Sequence, residues 1–148
     1  LIFCSFLLLL NVTNTNAQEN VTSIKEHKKK AKHPRKNTFM KRKWGVEVSF
    51  VRHAAAGYML EFRYKVLDPK KAAPIFNRQT KPVLTHVKSG AKLIVPTPAK
   101  TGALRNSNPP LVNRTYWLYF ANPGKFVKSG DLVNIEIGDF LIENITVQ

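Results

Sequence analysis

Cysteine is almost absent from this chain. Its 148 residues include a single cysteine, Cys4, which lies inside an apolar run at residues 1–10. We predict that this run is removed from the mature protein, which would leave no thiol at all. That excludes disulfides, a thiol nucleophile and thiolate metal ligands.

Acidic residues are also scarce. The chain has 9 Asp and Glu against 24 Lys and Arg, a net charge of +15, while 43% of its residues are hydrophobic. The length predicts one domain, and the hydrophobic content is sufficient for a core. The charge describes partners and solubility, and it favours an acidic partner.

The known catalytic motifs are absent as well. The sequence has no His-Glu-x-x-His, Gly-x-Ser-x-Gly, P-loop or Rossmann glycine pattern. Three glutamates fall at the outward phase of strand patterns, where we expect solvated side chains: Glu47, Glu61 and Glu136. Three aspartates stand beside Pro or Gly in turns: Asp68, Asp131 and Asp139. We therefore do not expect an enzyme.

No apolar run is long enough to cross a bilayer. Residues 1–10 are nearly all apolar, whereas a spanning helix needs about 20 such residues. The small residues Thr15-Asn16-Ala17 follow, so we predict a signal peptide over residues 1–17. The mature protein is then exported to the periplasm or another extracytoplasmic compartment, with no transmembrane segment. A buried strand or an uncleaved anchor is the alternative.

Residues 18–43 are strongly basic. They hold ten basic and two acidic residues, a net charge of +8, and only scattered apolar side chains. We predict a disordered arm, because such a segment cannot bury enough apolar surface to offset its ordering entropy. The arm is either a solubilising spacer or an electrostatic element that docks on an acidic surface.

Residues 44–148 carry the strand patterns. We expect Val46, Val48 and Phe50 to share one face, and Tyr58, Leu60, Phe62, Tyr64 and Val66 to share the core face of the next strand. Further strands are predicted at 83–87, 91–95, 116–120, 133–137 and 140–147. Pro69 suits the start of one helical turn over 70–76. The fold prediction is an all-β antiparallel sandwich of about six to seven strands, immunoglobulin-like in architecture, with room for a strand within 69–81.

A loop at residues 97–114 has no periodicity and no acidic residue. Loops of this length in compact domains are usually functional or disordered, and prolines stiffen this one. Its apolar and basic residues resemble an interface with a basic rim. The binding residues that we predict on the arm and the loop are Lys28, Lys29, Lys30, Arg35, Lys41, Arg42, Lys43, Lys100, Leu104, Arg105, Leu111 and Arg114.

A copper or small-ligand carrier is the alternative function. His53, Met59 and His86 could meet across neighbouring hairpins, and imidazole and thioether suit copper. Residues 127–133 resemble the segment that leads into a core strand in cupredoxins. The cupredoxin site also needs a Cys thiolate, so we predict no metal and no cofactor.

Nucleic acid is a weaker alternative. The charge fits, and four aromatic residues are candidates for stacking: Tyr58, Tyr64, Trp117 and Tyr119. Tyr58 and Tyr64 fall on the apolar phase of their strand, which predicts core positions. We therefore do not expect a nucleic-acid partner.

Two segments carry a family resemblance. They are residues 62–74, Phe-Arg-Tyr-Lys-Val-Leu-Asp-Pro-Lys-Lys-Ala-Ala-Pro, and residues 122–131, from Asn-Pro-Gly-Lys to Gly-Asp. They resemble a family of small exported bacterial β-domain proteins of unassigned chemistry, with which we group the small tethering subunit of nitrite oxidoreductase filaments. The resemblance implies a non-catalytic accessory subunit that docks on an acidic protein such as a respiratory oxidoreductase complex.

Overall fold

The computed structural model describes residues 34–148, with side-chain environments from residue 36 onward. The predicted signal peptide and arm residues 18–33 lie outside the described residues. Among the residues described, no helix is long and apolar enough to cross a membrane.

Seven strands form two antiparallel sheets. The strands are β1 (Val46–Ala54), β2 (Met59–Val66), β3 (Val83–His86), β4 (Lys92–Ile94), β5 (Thr115–Ala121), β6 (Leu132–Ile137) and β7 (Phe140–Thr146). One sheet has the order β1-β2-β5, and the other has the order β4-β3-β6-β7. The predicted all-β sandwich is confirmed, and this order is that of an immunoglobulin-like sandwich whose fourth strand joins the second sheet.

The core lies between the two sheets and is rich in aromatic rings. Phe62, Tyr64 and Tyr116 from the first sheet are at most 2% exposed, as is Phe140 from the second. Neighbouring rings are 4.6–6.5 Å apart, in tilted, stacked and edge-to-face pairs. Alternation along the strands buries these side chains, as the sequence predicts.

Residues 34–43 were predicted to be part of a disordered arm, and that prediction is wrong for them. They belong to helix α1 (Pro34–Trp44), which lies in the same compact unit as the sandwich. Met40 and Trp44, four residues apart, share one face and are both buried. The Asn37 side chain bonds both the N–H and the C=O of Val48, so the helix also covers the edge of β1.

A β-bulge changes the register of β1. The pairing with β2 shifts between Val48 and Phe50, which inserts one extra residue into the strand. Val51 is fully buried as a result, while Phe50 lies on the outer face and is only partly buried. The prediction that Phe50 shares the core face of Val48 is therefore wrong.

The segment after β2 is helical and contains no strand. Helix α2 (Pro69–Ala72) begins at Asp68, whose carboxylate accepts hydrogen bonds from the N–H groups of Lys70 and Lys71. A 3₁₀ turn, Ala73–Phe76, follows and buries Ile75 and Phe76. The helical turn predicted over 70–76 is confirmed, and the additional strand that we allowed within 69–81 is absent.

Candidate binding surface

The outer face of the β1-β2-β5 sheet carries an unusual group of side chains. Phe50, Arg52, Arg63, Trp117 and Tyr119 surround Glu61 on this face. We call this group the aromatic–arginine face. Arg52 is exposed, and the other four surrounding residues are partly exposed.

Glu61 is the centre of the face and is 1% exposed. Its Oε2 accepts a 2.8 Å hydrogen bond from Arg52 Nε, and its Oε1 accepts one from Arg63 Nη2. A charged residue is rarely buried without such partners. Our expectation of a solvated Glu61 is wrong, because two arginines and the neighbouring strand cover it.

Phe50 lies under both guanidinium groups. The Arg52 guanidinium carbon lies 4.6 Å from the ring centroid, and that of Arg63 lies 5.4 Å from it. Cation–π contacts of this kind are worth about 0.5–1 kcal/mol at exposed sites. The bulge in β1 makes this arrangement, because it places Phe50 directly opposite Arg63 on β2.

Trp117 and Tyr119 extend the face onto β5. Their ring centroids are 5.1 Å apart, and the ring planes are inclined by 50°. Trp117 pairs directly with Arg63 across the strands, and Tyr119 pairs with Glu61. The three strands therefore present one continuous surface of rings and guanidinium groups.

The chemistry of this face suits carboxylates and apolar side chains. Each guanidinium has five N–H donors in a planar fork, and the bonds to Glu61 use one donor nitrogen of each arginine. Two arginines with one glutamate leave one net positive charge. Trp, Tyr and Arg are also the residues that contribute most to the binding energy of protein interfaces.

Of the seven predicted arm residues, the structure describes the side chains of three. Lys28, Lys29 and Lys30 lie outside the described residues, as does the Arg35 side chain. Lys41, Arg42 and Lys43 are exposed in the last turn of α1, where cations suit the helix dipole. Lys41 pairs with Glu47 at 3.0 Å, and Lys43 lies over the Phe39 and Trp44 rings.

The predicted loop residues are divided between the core and the surface. Arg105 is only 8% exposed, and it donates hydrogen bonds to the carbonyl oxygens of Thr80 (2.8 Å) and Ile75 (2.5 Å). Burial lowers the pKa of its guanidinium. Arg105 is thus an internal cross-link, and its prediction as a binding residue is wrong.

Leu104 packs against the core, whereas Lys100, Leu111 and Arg114 are exposed. The loop is held at its end by Tyr116, whose hydroxyl accepts from the Leu111 N–H and donates to the Pro109 carbonyl oxygen. Of the five predicted loop residues, three are therefore exposed, Leu104 is partly buried and Arg105 is buried.

The two histidines considered for copper have other partners. His53 Nε2 lies 2.9 Å from the Val127 carbonyl oxygen, and His86 Nδ1 lies 2.8 Å from Ser89 Oγ. They stand on different sheets, His53 on β1 and His86 on β3. In the part of the chain that the structure describes, no three His, Cys, Asp or Glu residues are grouped so as to hold a metal.

His86 also brings a serine and an aspartate together. Its Nε2 lies 3.3 Å from Asp131 Oδ2, but this buried nitrogen makes no hydrogen bond within the described residues. Ser89 Oγ accepts from the Ala91 N–H, and the adjacent Gly90 N–H is bonded to the His86 carbonyl oxygen. A serine nucleophile needs free donors for its oxyanion. Because these N–H groups are already bonded, we interpret the Ser89 and His86 contacts as stabilising the β3–β4 turn.

Sequence reasoning missed the aromatic–arginine face because it assigned Phe50 to the core and Glu61 to solvent. Alternation of apolar and polar residues does not reveal the β-bulge that exposes Phe50. The signal for the bulge was Val51, an apolar residue at a position that alternation assigns to the outer face. Tyr58 was also misplaced: it is 56% exposed and not in the core, whereas Tyr64 is buried as predicted.

Comparison with known proteins adds no assignment to this geometry. No protein-family model, curated protein or solved structure matches the chain. The resemblance to small exported β-domain proteins therefore stays a prediction.

Proposed function

We propose that this protein is an exported, non-catalytic binding module that docks on an acidic protein partner through the aromatic–arginine face. One observation carries the proposal. Trp117, Tyr119 and Phe50 are partly exposed on a single sheet face, and they flank two arginines that share one buried carboxylate.

The pairing with Glu61 prepares the arginines for binding. It holds both guanidinium groups in place before a partner arrives, which lowers the side-chain entropy lost on binding. Their remaining donors can meet a partner carboxylate in the bidentate geometry that arginine favours. The rings beside them supply apolar contact area in the same footprint.

Charge supports an acidic partner. Residues 44–148 hold fourteen basic and seven acidic residues, a net charge of +7, and residues 18–43 add +8. Opposite charge accelerates association and selects partners more than it tightens the final complex. We assign residues 18–33 to this long-range attraction and the aromatic–arginine face to the short-range contact.

The family resemblance gives the partner a context. If the chain is an accessory subunit of an exported redox assembly, the acidic partner is another subunit of that complex. The proposed docking through the aromatic–arginine face does not depend on this identity, because it rests on side chains that are present in the fold.

The test compares variants of the full chain on a purified partner. The wild-type protein is used to isolate a partner from native membrane and soluble fractions, and binding is then measured by surface plasmon resonance. Trp117→Ala with Tyr119→Ala should weaken binding by about 30-fold or more, mainly through faster dissociation, as expected for interface anchors.

The matched control removes two exposed apolar side chains from the other sheet, Ile94→Ala with Leu141→Ala. This variant should bind with nearly wild-type affinity. Equal affinity of the aromatic variant and the wild type, with both proteins folded, would overturn the proposal.

A further inference from the structure

Three turns meet at one end of the sandwich. They connect β1 with β2 at residues 55–58, β3 with β4 at 87–91, and β5 with β6 at 122–131. We call this the turn end. The loop at 97–114, which connects the far ends of β4 and β5, lies at the opposite end.

Large apolar side chains are exposed at the turn end. Tyr58 is 56% exposed and Phe126 is 46% exposed, and Val87 and Leu132 are exposed to a similar degree. Val87 and Leu132 are neighbours, because the Val87 N–H donates to the Leu132 carbonyl oxygen. Exposed apolar groups that cluster in this way mark interaction sites more often than single exposed residues do.

A buried asparagine holds two of the turns together. Asn122 is fully buried, and its Nδ2 donates to the carbonyl oxygens of Gly57 (2.9 Å) and Val127 (3.0 Å). Its Oδ1 accepts from the Val127 N–H, and its own N–H donates to the Tyr58 carbonyl oxygen. This network fixes the backbone on both sides of Lys125 and Phe126.

The third turn is attached through His86. Its ring meets the Phe126 ring edge-on, with centroids 5.2 Å apart, and its nitrogens face Ser89 and Asp131. Asp131 also accepts from the Lys128 N–H at 2.7 Å. The exposed rings thus stand on a backbone that polar contacts hold rigid.

The backbone of the turn end is strained at non-glycine positions. Ala55, Ala56 and Lys125 have positive φ values of 48°, 52° and 54°. Such conformations are unfavourable for residues with a Cβ and gather at functional sites. Here they turn the chain so that Tyr58 and Phe126 point outward.

The charge at the turn end is positive. Lys88 lies in the β3–β4 turn, and Lys125 and Lys128 lie in the connection between β5 and β6. Lys125 Nζ is 4.7 Å from the Tyr58 ring centroid. Asp131 is the one acidic residue in these turns, and its carboxylate contacts His86 and accepts from the Lys128 N–H. Three lysines against this one carboxylate leave a net charge of +2 in the three turns.

We propose that the turn end docks on an anionic lipid surface. Phe126 and Tyr58 enter the headgroup region, while Lys88, Lys125 and Lys128 lie against the lipid phosphates. Near an anionic surface each lysine contributes about 1 kcal/mol, which is about a fivefold change in affinity.

The geometry favours lipid over protein at this end. The exposed apolar side chains come from three separate turns and the first residue of β6, and not from one continuous strand or helix face. The cations are lysines, which act as mobile point charges without the fixed fork of arginine. The aromatic–arginine face has the opposite character, and the two surfaces are tested separately.

The experiment measures co-sedimentation of the full chain with vesicles at about 0.1 M salt, where the Debye length is about 10 Å. Mixed phosphatidylglycerol–phosphatidylcholine vesicles should bind the protein, and phosphatidylcholine alone should not. Lys88→Gln, Lys125→Gln and Lys128→Gln together should reduce affinity for the mixed vesicles by about 10-fold to 100-fold.

The matched control removes the same charge from exposed lysines outside the turn end: Lys70→Gln, Lys81→Gln and Lys100→Gln. This variant should lose less than about threefold in affinity, because its lysines lie farther from the bilayer than a Debye length. Equal losses in the two triple variants would overturn the proposal, since binding would then follow total charge. Circular dichroism confirms that both are folded.

A second measurement reports insertion directly. Phe126→Trp in the full chain should be quenched by brominated lipids in mixed vesicles more than the wild-type protein, whose tryptophans are Trp44 and Trp117. Quenching equal to that of the wild type would contradict insertion at this position, even if the protein binds the vesicles.

Discussion

The Nη2 of Arg105 donates a 2.5 Å hydrogen bond to the carbonyl oxygen of Ile75, thirty residues earlier in the chain. The same guanidinium donates to the carbonyl oxygen of Thr80, so it joins the long loop to the segment between β2 and β3. A residue predicted to bind a partner is thus part of the internal structure.

Replacing Arg105 with Met should therefore destabilise the domain. The change leaves two carbonyl oxygens without their donor inside the protein, and each unsatisfied buried group costs about 1–3 kcal/mol. We expect the free energy of unfolding to fall by about 2–4 kcal/mol in urea titration. The control is Arg114→Met, an exposed position, with an expected change below about 0.5 kcal/mol; similar losses in both would contradict the cross-link.

Gly45 should tolerate no side chain. It ends α1 at φ +61°, and a Cβ there would lie 2.6 Å from Asp68 Cβ and 2.7 Å from the Asp68 carbonyl oxygen. Gly45→Ala should lower the unfolding free energy by about 3 kcal/mol, from backbone strain and the displaced neighbour. Gly90→Ala is the matched control, because its φ is +70° with open space around it, and it should cost about 1 kcal/mol. Equal costs would show that the close approach does not matter.

Glu61→Gln should weaken both the fold and the aromatic–arginine face. The amide carries no negative charge to attract the two arginines. Its NH2 group is a hydrogen-bond donor and would face the N–H donors of an arginine. Because Arg52 and Arg63 are partly exposed, with 49% and 36% of their side chains accessible, we expect a loss of only about 1–2 kcal/mol. Glu136→Gln, on the exposed outer face of the other sheet, should be nearly neutral in the same denaturation assay; an equally neutral Glu61→Gln would refute the role of the ion pairs.

Stability should decrease at alkaline pH because of Tyr64. Burial raises the pKa of its hydroxyl well above the ordinary value, an effect that nearby Arg105 partly opposes and Tyr116 adds to. In the unfolded chain the hydroxyl ionises near pH 10. Its stabilising contribution is complete below that pH and is lost as the pH rises above it, by up to about 1.4 kcal/mol per pH unit.

The measurement is the free energy of unfolding from about pH 8 to about pH 11, in the wild type and in Tyr64→Phe. The variant lacks the buried hydroxyl, so its stability should fall less steeply above pH 10. Identical slopes in the two proteins would mean that Tyr64 ionises in the folded state as readily as in the unfolded chain.

Local sequence patterns were sufficient for the strands and turns. Period-two alternation located β2 and β6, and the turn chemistry of Asp68-Pro69 and Gly138-Asp139 marked where strands end. These signals are local, because a strand needs only an apolar side chain at every second residue and a turn needs only the backbone freedom of a few residues.

Other features of the structure depend on contacts between residues that are distant in sequence. The bulge that exposes Phe50 arises from pairing between β1 and β2, and α1 is held by Met40 and Trp44 against the core. Glu61 is buried only because Arg52 and Arg63 converge on it from two strands, and Arg105 because its acceptors lie 25 and 30 residues away.

The sequence by itself therefore determined the fold class, the strand positions and the excess of positive charge. Only the tertiary structure decided which charged and aromatic residues face solvent. Alternation assigns each side chain to one of the two faces of a sheet. It does not say what covers the outer face, or where a bulge reverses which residues face the core. Pairing between strands and cross-links from loops settle those points, and they created the aromatic–arginine face and the turn end.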